Sequence, residues 1–285
     1  MSSIPGLTSA DLALGDVKSC DFDLEQVQMH WIQDSTDPWF ERGYGILWKE
    51  FGSKNEMEQR TTLHKRLQWK PNELIHDYSF LYTMIVVTAG EEVVAVRDHT
   101  VILCHHIQDP LALVHLSHVW VDPAWRRTGL SGWLRALPIQ TAREGLKQAS
   151  LPSTSRIILA AEMEHYTQGN HDQWVRLKAY EKADYRKVDS DLIHYFQPDF
   201  RTAEEIDQSG GPQPIPMSLM LRLVGHEQQK EISSAEIKRI VFALYHMYGL
   251  EFRRQDMLHV YDSLSTYPAD ETLIDLVQPC RDIQP

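Results

Sequence analysis

One stretch, LALVHLSHVWVDPAWRRTGLSGWLRALPIQTAREG from Leu111 to Gly145, limits what this chain can fold into more than any other. Leu111 to Val121 is apolar and rich in Val and Leu, as a buried strand is. Asp122-Pro123 ends the run, since proline has no N–H for a ladder bond. Arg126-Arg127-Thr128-Gly129-Leu130-Ser131-Gly132 then places two cations and two glycines at the mouth of a helix that begins near Leu130. A helix start offers free backbone N–H groups and the positive end of the macrodipole, and glycine lets a ligand come close to the backbone. Arginines beside those amides add charge-assisted bonds to phosphate. The turn reads as a pyrophosphate cradle; the plainer reading is a helix entry with solvated arginines.

Two phosphate-binding loops are excluded. A P-loop needs G-x-x-x-x-G-K-[ST], and no Gly-Lys pair follows these glycines. The dinucleotide fingerprint needs G-x-G-x-x-G, which Gly129-Leu130-Ser131-Gly132 does not supply.

The rest of the chain alternates strand and helix signals. Val27 to Ile32 predicts a strand, and Asp37-Pro38 predicts a capped helix carrying Phe40, Tyr44, Leu47, Trp48 and Phe51, closed by Gly52. Gly43 and Gly45 inside that helix suggest a bend or a ligand's approach. A weaker helix is expected from Asn55 to Trp69, ended by Pro71. Strands follow at Phe80 to Thr88 and Val93 to Leu103, joined through Ala89-Gly90. Pro138 lies inside the helix after the cradle, where proline costs roughly 3 kcal/mol, so a kink or two pieces is expected there. Arg156 to Ala161 predicts a strand, Trp174 to Tyr185 a helix, and Leu192 to Phe196 and Ser218 to Val224 the next two strands. The Gly- and Pro-rich segment DFRTAEEIDQSGGPQPIP between those two reads as an irregular loop. Beyond Gly225, Ser233-x-x-Glu236 opens a helix with Ile237, Ile240, Val241, Leu244 and Tyr248 on one face, closed by Gly249. Further helical stretches are expected near Gln255 to Leu264 and Thr272 to Val277.

Charge and cysteine content narrow the class. The 285 residues carry a formal charge of -12, an acidic field that disfavours nucleic acid and favours cationic ligands. Three scattered cysteines, Cys20, Cys104 and Cys280, imply no disulfide framework and fit a reducing cytoplasm. The N-terminal residues lack the basic and apolar regions of a signal peptide, and no apolar run is of membrane length. A soluble cytoplasmic protein is expected.

The turn resembles the acetyl-CoA loop of the GNAT superfamily of N-acetyltransferases. That pattern is a strand ending in V-x-P, then Q/R-x-x-G-x-G/A opening a long helix. Here it is Val121-Asp122-Pro123 and Arg126-x-x-Gly129-x-Ser131, with Ser131 where Gly or Ala is usual. The order of predicted elements from residue 22 to 225 is similar to that of the family. The resemblance implies an α/β fold with a mixed central sheet flanked by helices. It divides the chain into an arm (1–21), a GNAT-like domain (22–225) and a helical C-terminal extension (226–285). The extension's plainest role is to cover the sheet; a homodimer contact or a substrate lid are the alternatives.

The same resemblance implies acetyl-CoA as cosubstrate and a primary amine, on a small molecule or a protein, as acceptor. The backbone of Arg127, Gly129, Leu130, Ser131 and Gly132 would hold the pyrophosphate, with Thr128 in the turn and charge from Arg126 and Arg127. The strand end Val119, Trp120 and Val121 would bind the pantetheine. Tyr180, in Tyr180-Glu181-Lys182-Ala183-Asp184-Tyr185, falls on the family's general acid, with Asp184 replacing a glycine. For the base, His115 lies eleven positions before Arg126, where relatives carry Glu or His. Strand alternation puts His115 and His118 on opposite faces unless the strand bulges. Glu162 and Glu164 are rival bases acting through water. A core aromatic, a core histidine and solvated carboxylates are the bland readings of these residues. Asp34, Asp37, Glu41, Glu162 and Glu164 near the family's acceptor groove would suit an ammonium-bearing acceptor. Cys104-His105-His106 invites a zinc reading, but adjacent strand residues face opposite ways and no second ligand pair has metal-site spacing. A GNAT-like module that binds acyl-CoA without catalysis, as a sensor or scaffold, is the second reading.

Overall fold

The computed structural model describes residues 10–17, 24–106, 109–281 and 283. Residues 1–9 and 18–21 of the expected N-terminal arm lie outside the described residues. The chain falls into two units, Met1–Ile157 and Ile158–Pro285.

In the first unit, α1 (Leu14–Val17) precedes β1 (Gln28–Ile32), α2 (Pro38–Phe51) and α3 (Arg60–Arg66). Then come β2 (Tyr78–Ala89), β3 (Glu92–Cys104), β4 (Leu111–Leu116), β5 (Val119–Val121) and α4 (Leu130–Gln148). All the ladders are antiparallel: β1 on β2, β2 on β3, and both β4 and β5 on β3. One face of this sheet, with Met84, Val86 and Val96, packs against Phe40 and Leu47 of α2 and Leu63 of α3. The opposite face, with Ile85, Val87 and Ala95, packs against Leu130, Leu134 and Leu137 of α4. Alternation in β2 and β3 therefore feeds two cores, and each Val, Ile, Leu, Met or Phe among them contributes roughly 1.5–3 kcal/mol on burial.

Local chemistry explains the boundaries. The Asp37 carboxylate accepts from the Trp39 N–H at 2.9 Å, and Pro38 starts α2. Gly43 neither bends the helix nor admits a ligand. A Cβ there would meet Met84 Sδ at 2.7 Å and Val86 Cγ2 at 2.8 Å, so its absence lets α2 lie close on the sheet. The expected helix from Asn55 to Trp69 is reduced to α3, because Asn55 turns left-handed (φ 57°) and interrupts the chain first. The helix after the cradle is a single α4 that runs through Pro138. Twelve of its nineteen residues are buried, and that packing outweighs the missing N–H.

In the second unit, β6 (Arg156–Glu164, its first two residues in the first unit) is followed by α5 (His171–Lys182), β7 (Arg186–Val188) and β8 (Tyr195–Gln197). There follow α6 (Ala203–Gln208), β9 (Ile215–Leu223), β10 (Glu231–Ser233), α7 (Ser234–Gly249), α8 (Arg254–Ser263) and β11 (Leu273–Val277). Antiparallel ladders join β9 to β6, β7 and β8, β7 to β11, and β11 to β10. The segment before β9 is not wholly irregular, since Thr202 and Glu205 form a reciprocal capping box that starts α6. The expected helix at Thr272 to Val277 is corrected to strand β11. Ile274 and Leu276 are buried while Leu273 and Asp275 are exposed, a period of two that a helix cannot produce. The C-terminal region thus adds strands to its sheet as well as helices.

Candidate active site

The strand expected from Leu111 to Val121 is broken. His115 pairs with Thr100 and Val119 with Arg97, so four steps on one strand oppose three on the other. This extra residue is a β-bulge, and it reverses the alternation between β4 and β5. His115 and His118 therefore share the α2 face, as only a bulge allows. Beyond it, Trp120 packs on the α2 side and Val119 and Val121 on the α4 side. Among the described residues β5 pairs only with β3. The backbone along the other edge of Val119, Trp120 and Val121 has no ladder partner.

A buried carboxylate holds the bulge. Asp98 Oδ1 accepts from the His118 N–H at 2.8 Å and from His118 Nδ1 at 3.0 Å, and Oδ2 accepts from the Tyr82 hydroxyl at 3.1 Å. His118 Nε2 meets the Glu56 carbonyl at 2.6 Å. A carbonyl can only accept, so both ring nitrogens donate and the ring is an imidazolium. Burial opposes that charge, but the Asp98 carboxylate overcomes it and raises His118 to about 9. Burial likewise opposes ionisation of Asp98, and the His118 charge and hydrogen bonds prevail, holding it at about 2. With both nitrogens occupied, His118 is a structural cation and cannot serve as a base. His115 is also buried, with Nδ1 3.2 Å from Ser117 Oγ.

The cradle follows β5 directly. Arg127 is left-handed at φ 69° and Gly129 at φ 95°, on either side of Thr128. Left-handed residues alternating with others turn successive N–H groups into one concavity, a nest for an anion. Thr128 clips the loop, its hydroxyl donating to the Trp125 carbonyl at 2.8 Å and accepting weakly from the Leu130 N–H at 3.4 Å. The Gly132 N–H donates to the Gly129 carbonyl at 2.9 Å, within the first turn of α4. Among the described residues no hydrogen bond occupies the N–H groups of Arg127, Gly129 or Ser131. Arg126 and Arg127 are exposed, and Arg126 Nε donates to the Val121 carbonyl at 3.2 Å, tying loop to strand end.

Gly132 has a second use that spacing did not reveal. A Cβ there would stand 3.0 Å from Cβ and Cγ of Asp16, in α1. Asp16 is buried and paired with Arg135, with Oδ1 2.5 Å from Nη2. One turn along, Asp11 accepts from Arg143 Nη2 at 2.7 Å and Gln140 Nε2 at 2.6 Å. Residues 11–17 lie along α4, and Gly132 makes room for them.

In the second unit, Tyr180 is buried on α5, its ring 4.9 Å from that of Tyr185 and nearly perpendicular to it. Asp184, where the family pattern has glycine, is left-handed at φ 61°. The Tyr185 N–H bonds the Tyr180 carbonyl at 3.0 Å and the Asp184 N–H the Glu181 carbonyl at 3.2 Å, a complete Schellman turn. The substitution keeps the backbone that glycine would take. Glu162, half-buried near the end of β6, accepts from the hydroxyls of Tyr195 and Tyr248, the latter at 3.2 and 3.3 Å. Glu164 instead pairs with Arg176 at 2.9 Å. Asp98, Tyr195 and Tyr248 carried no motif in the sequence and are visible only through the contacts they make. Among the described residues no cluster of His, Cys, Asp or Glu could hold a metal, and no helix is long and apolar enough to cross a membrane.

No protein-family model matches the chain, and no curated protein matches it in sequence. Solved structures similar to it include the aminoglycoside acetyltransferase meta-AAC0020 from an uncultured soil metagenomic sample. That match has 14% identity over 55% of this chain and 88% of the other, with a TM-score of 0.35. An acetyltransferase of the GNAT family from Streptococcus pneumoniae matches at 11% identity over 69% of this chain and 99% of its own, with a TM-score of 0.30. The toxin AtaT, solved with the C-terminus of the antitoxin AtaR and acetyl-CoA, matches at 8% identity over 71% and 96% of the two chains, with a TM-score of 0.34. The first two are acetyltransferases by name and the third was solved with acetyl-CoA; at these scores the likeness identifies neither acceptor nor site residues.

Proposed function

We propose that this protein is an acetyl-CoA-dependent N-acetyltransferase acting on a primary amine. The observation that carries the reading is the nest between β5 and α4. It combines left-handed Arg127 and Gly129, three N–H groups available to an anion and two exposed arginines, directly after a strand end with an unpaired backbone edge. Those are the donors and charges a pyrophosphate needs, and the edge of β5 that faces away from β3 suits the amides of a pantetheine arm. The available amides narrow the phosphate donors to Arg127, Gly129 and Ser131, with Arg126 and Arg127 supplying charge and Thr128 holding the loop.

Acetyl-CoA supplies an activated acyl group whose departing thiolate needs a proton. In this reading Tyr180 supplies it. A phenol hydroxyl is a proton donor, and one within reach of the departing sulfur can give its proton to a thiolate. For the base, Glu162 is favoured over His115, since the histidine is buried while the carboxylate is half-buried and can be reached through water. The chain's charge of -12 and the acidic Glu162 support a cationic acceptor. Thiol release from acetyl-CoA, measured against a panel of primary amines with mass detection of the acetylated product, tests the reading. Product formation in the wild type and a loss of about 10²–10⁴-fold in Tyr180→Phe is the expected result. Tight acetyl-CoA binding without turnover of any amine would favour the non-catalytic sensor instead.

A further inference from the structure

Arg97, on the α4 side of β3, is a buried cation to which no carboxylate is paired among the described residues. It is 1% exposed, and its Nε and Nη2 have no hydrogen-bond partner. Those two nitrogens form one edge of the guanidinium, where their N–H groups run parallel and match the two oxygens of a carboxylate. Arg135, Arg201, Arg222 and Arg253 all use that edge in this way, on Asp16, Asp199, Glu227 and Asp256. We propose that a small free carboxylate anion, the size of formate or acetate, binds beneath α4 on the Nε–Nη2 edge of Arg97.

Three features carry this. The first is that the polar groups around Arg97 lack an acceptor. Register sets Trp31, Ile85, Arg97 and Val119 in one row across β1, β2, β3 and β5, and Trp31, Ile85 and Val119 belong to the core on the α4 side. On that row the Trp31 indole Nε1 is buried without a partner. In the next row of the same face, Thr83 Oγ1 and His99 Nδ1 are also buried and unpartnered. Indole and guanidinium can only donate, so whatever completes them must accept. The second feature is charge. A water molecule would satisfy donors but leave the guanidinium uncompensated in the core, where an unpaired charge is strongly destabilising. His99 brings no charge of its own, since burial first, and then Arg97, hold it down to about 3; its Nε2 lies 2.9 Å from Thr141 Oγ1. The third is that the carboxylates lying along α4 are engaged elsewhere, Asp16 by Arg135 and Asp11 by Arg143. Arg97 stands opposite Val119 in the ladder, so an anion held there also braces the first residue of β5, the strand that leads into the nest.

The test uses the full-length protein and sodium formate, exchanged for sodium chloride at constant ionic strength. The wild-type melting temperature should rise as formate replaces chloride, because a ligand that binds only the folded state stabilises it by mass action. Arg97→Lys keeps the charge but not the parallel donors, and should bind formate roughly tenfold more weakly. Arg97→Met should lose the response altogether. Heteronuclear NMR of the Trp31 indole N–H, assigned with Trp31→Phe, gives the location: its resonance should move with formate in the wild type and stay still in Arg97→Met. A wild-type melt that ignores formate would overturn the proposal. An equal response in folded Arg97→Met, or in Arg97→Lys where the methionine variant does not fold, would overturn it too. So would a response that leaves the Trp31 N–H unmoved, since both results put the anion elsewhere, the exposed nest included. The site does not depend on the acetyl-transfer reading, and no acetyl-CoA enters the titration.

Discussion

His118 donates from both ring nitrogens, to Asp98 at 3.0 Å and to the Glu56 carbonyl at 2.6 Å, and so pins the bulge between β4 and β5 with a buried charge. Its pKa in the folded protein, about 9, stands above the ordinary 6.5. The stabilisation it gives is therefore complete below about pH 6.5 and is lost as pH rises through 9. Asp98 is depressed to about 2, so its share is complete above the ordinary 3.8 and is lost as pH falls toward 2. Melting temperature measured against pH should be flat near pH 4–6.5 and decline on the alkaline side, and Asp98→Asn should remove most of that alkaline slope. His118→Gln leaves a buried carboxylate without its cation and should cost about 3–5 kcal/mol by urea unfolding. An alkaline slope unchanged in Asp98→Asn would mean that other groups set it.

Gly43 and Gly45 sit two residues apart in α2 and should respond to alanine with opposite signs. A Cβ at Gly43 would press to 2.7 Å from Met84 Sδ, and overpacking of this kind costs typically ~1–3 kcal/mol. Gly45 is exposed, with nothing within 4 Å of the added methyl, so alanine there should stabilise by about 0.5–1 kcal/mol through helix propensity alone. Paired thermal melts decide the matter, and a stabilised Gly43→Ala would refute the close packing.

This pair also marks what could be read from sequence and what could not. Alternation and capping placed most elements, because those signals are local. Phe80 to Thr88 lies inside β2, and Asp37-Pro38 starts α2 as its cap chemistry dictates. The turn and helix start after β5 were legible for the same reason: the cations, glycines and first helical residues are contiguous. Long-range contacts were not visible. Gly43 looked like a bend because nothing in the sequence shows that Met84 and Val86 lie over it. The bulge was visible only as a condition on His115 and His118, since the extra residue exists relative to β3, a partner that local sequence does not specify. The alternation of β11 was misread as helix because Leu273 to Val277 is short and almost wholly apolar, where the two periods are hard to tell apart.

Gly132 should prove more important to the N-terminal segment than to phosphate. Its own N–H is spent on Gly129, and the space a side chain would take is filled by Asp16. Gly132→Ala should loosen residues 11–17 from α4 and expose the buried Arg135, seen as faster amide exchange and protease cleavage of that segment. Affinity for acetyl-CoA should change little. An equal loss of acetyl-CoA binding in Gly132→Ala would return this glycine to the phosphate site.

Gly129 is the residue on which the cradle itself stands. Its φ of 95° lies where a side chain is strained, and it separates Thr128 from the start of α4. Any substitution there disturbs the turn, so the informative comparison is between two replacements of unequal charge. Gly129→Asn and Gly129→Asp carry side chains of nearly equal size, and both residue types tolerate left-handed backbone better than most. They should lose similar stability, roughly 1–2 kcal/mol. Only Asp adds a negative charge among amides proposed to receive phosphate, where it would both repel the ligand and occupy the N–H groups itself. Calorimetric titration with CoA should therefore show a much larger loss for Asp than for Asn, and the difference should shrink as salt is raised, because screening weakens exposed charge interactions. Equal affinities for CoA in the two folded variants would show that no phosphate lies at this turn, and the functional reading built on it would fall.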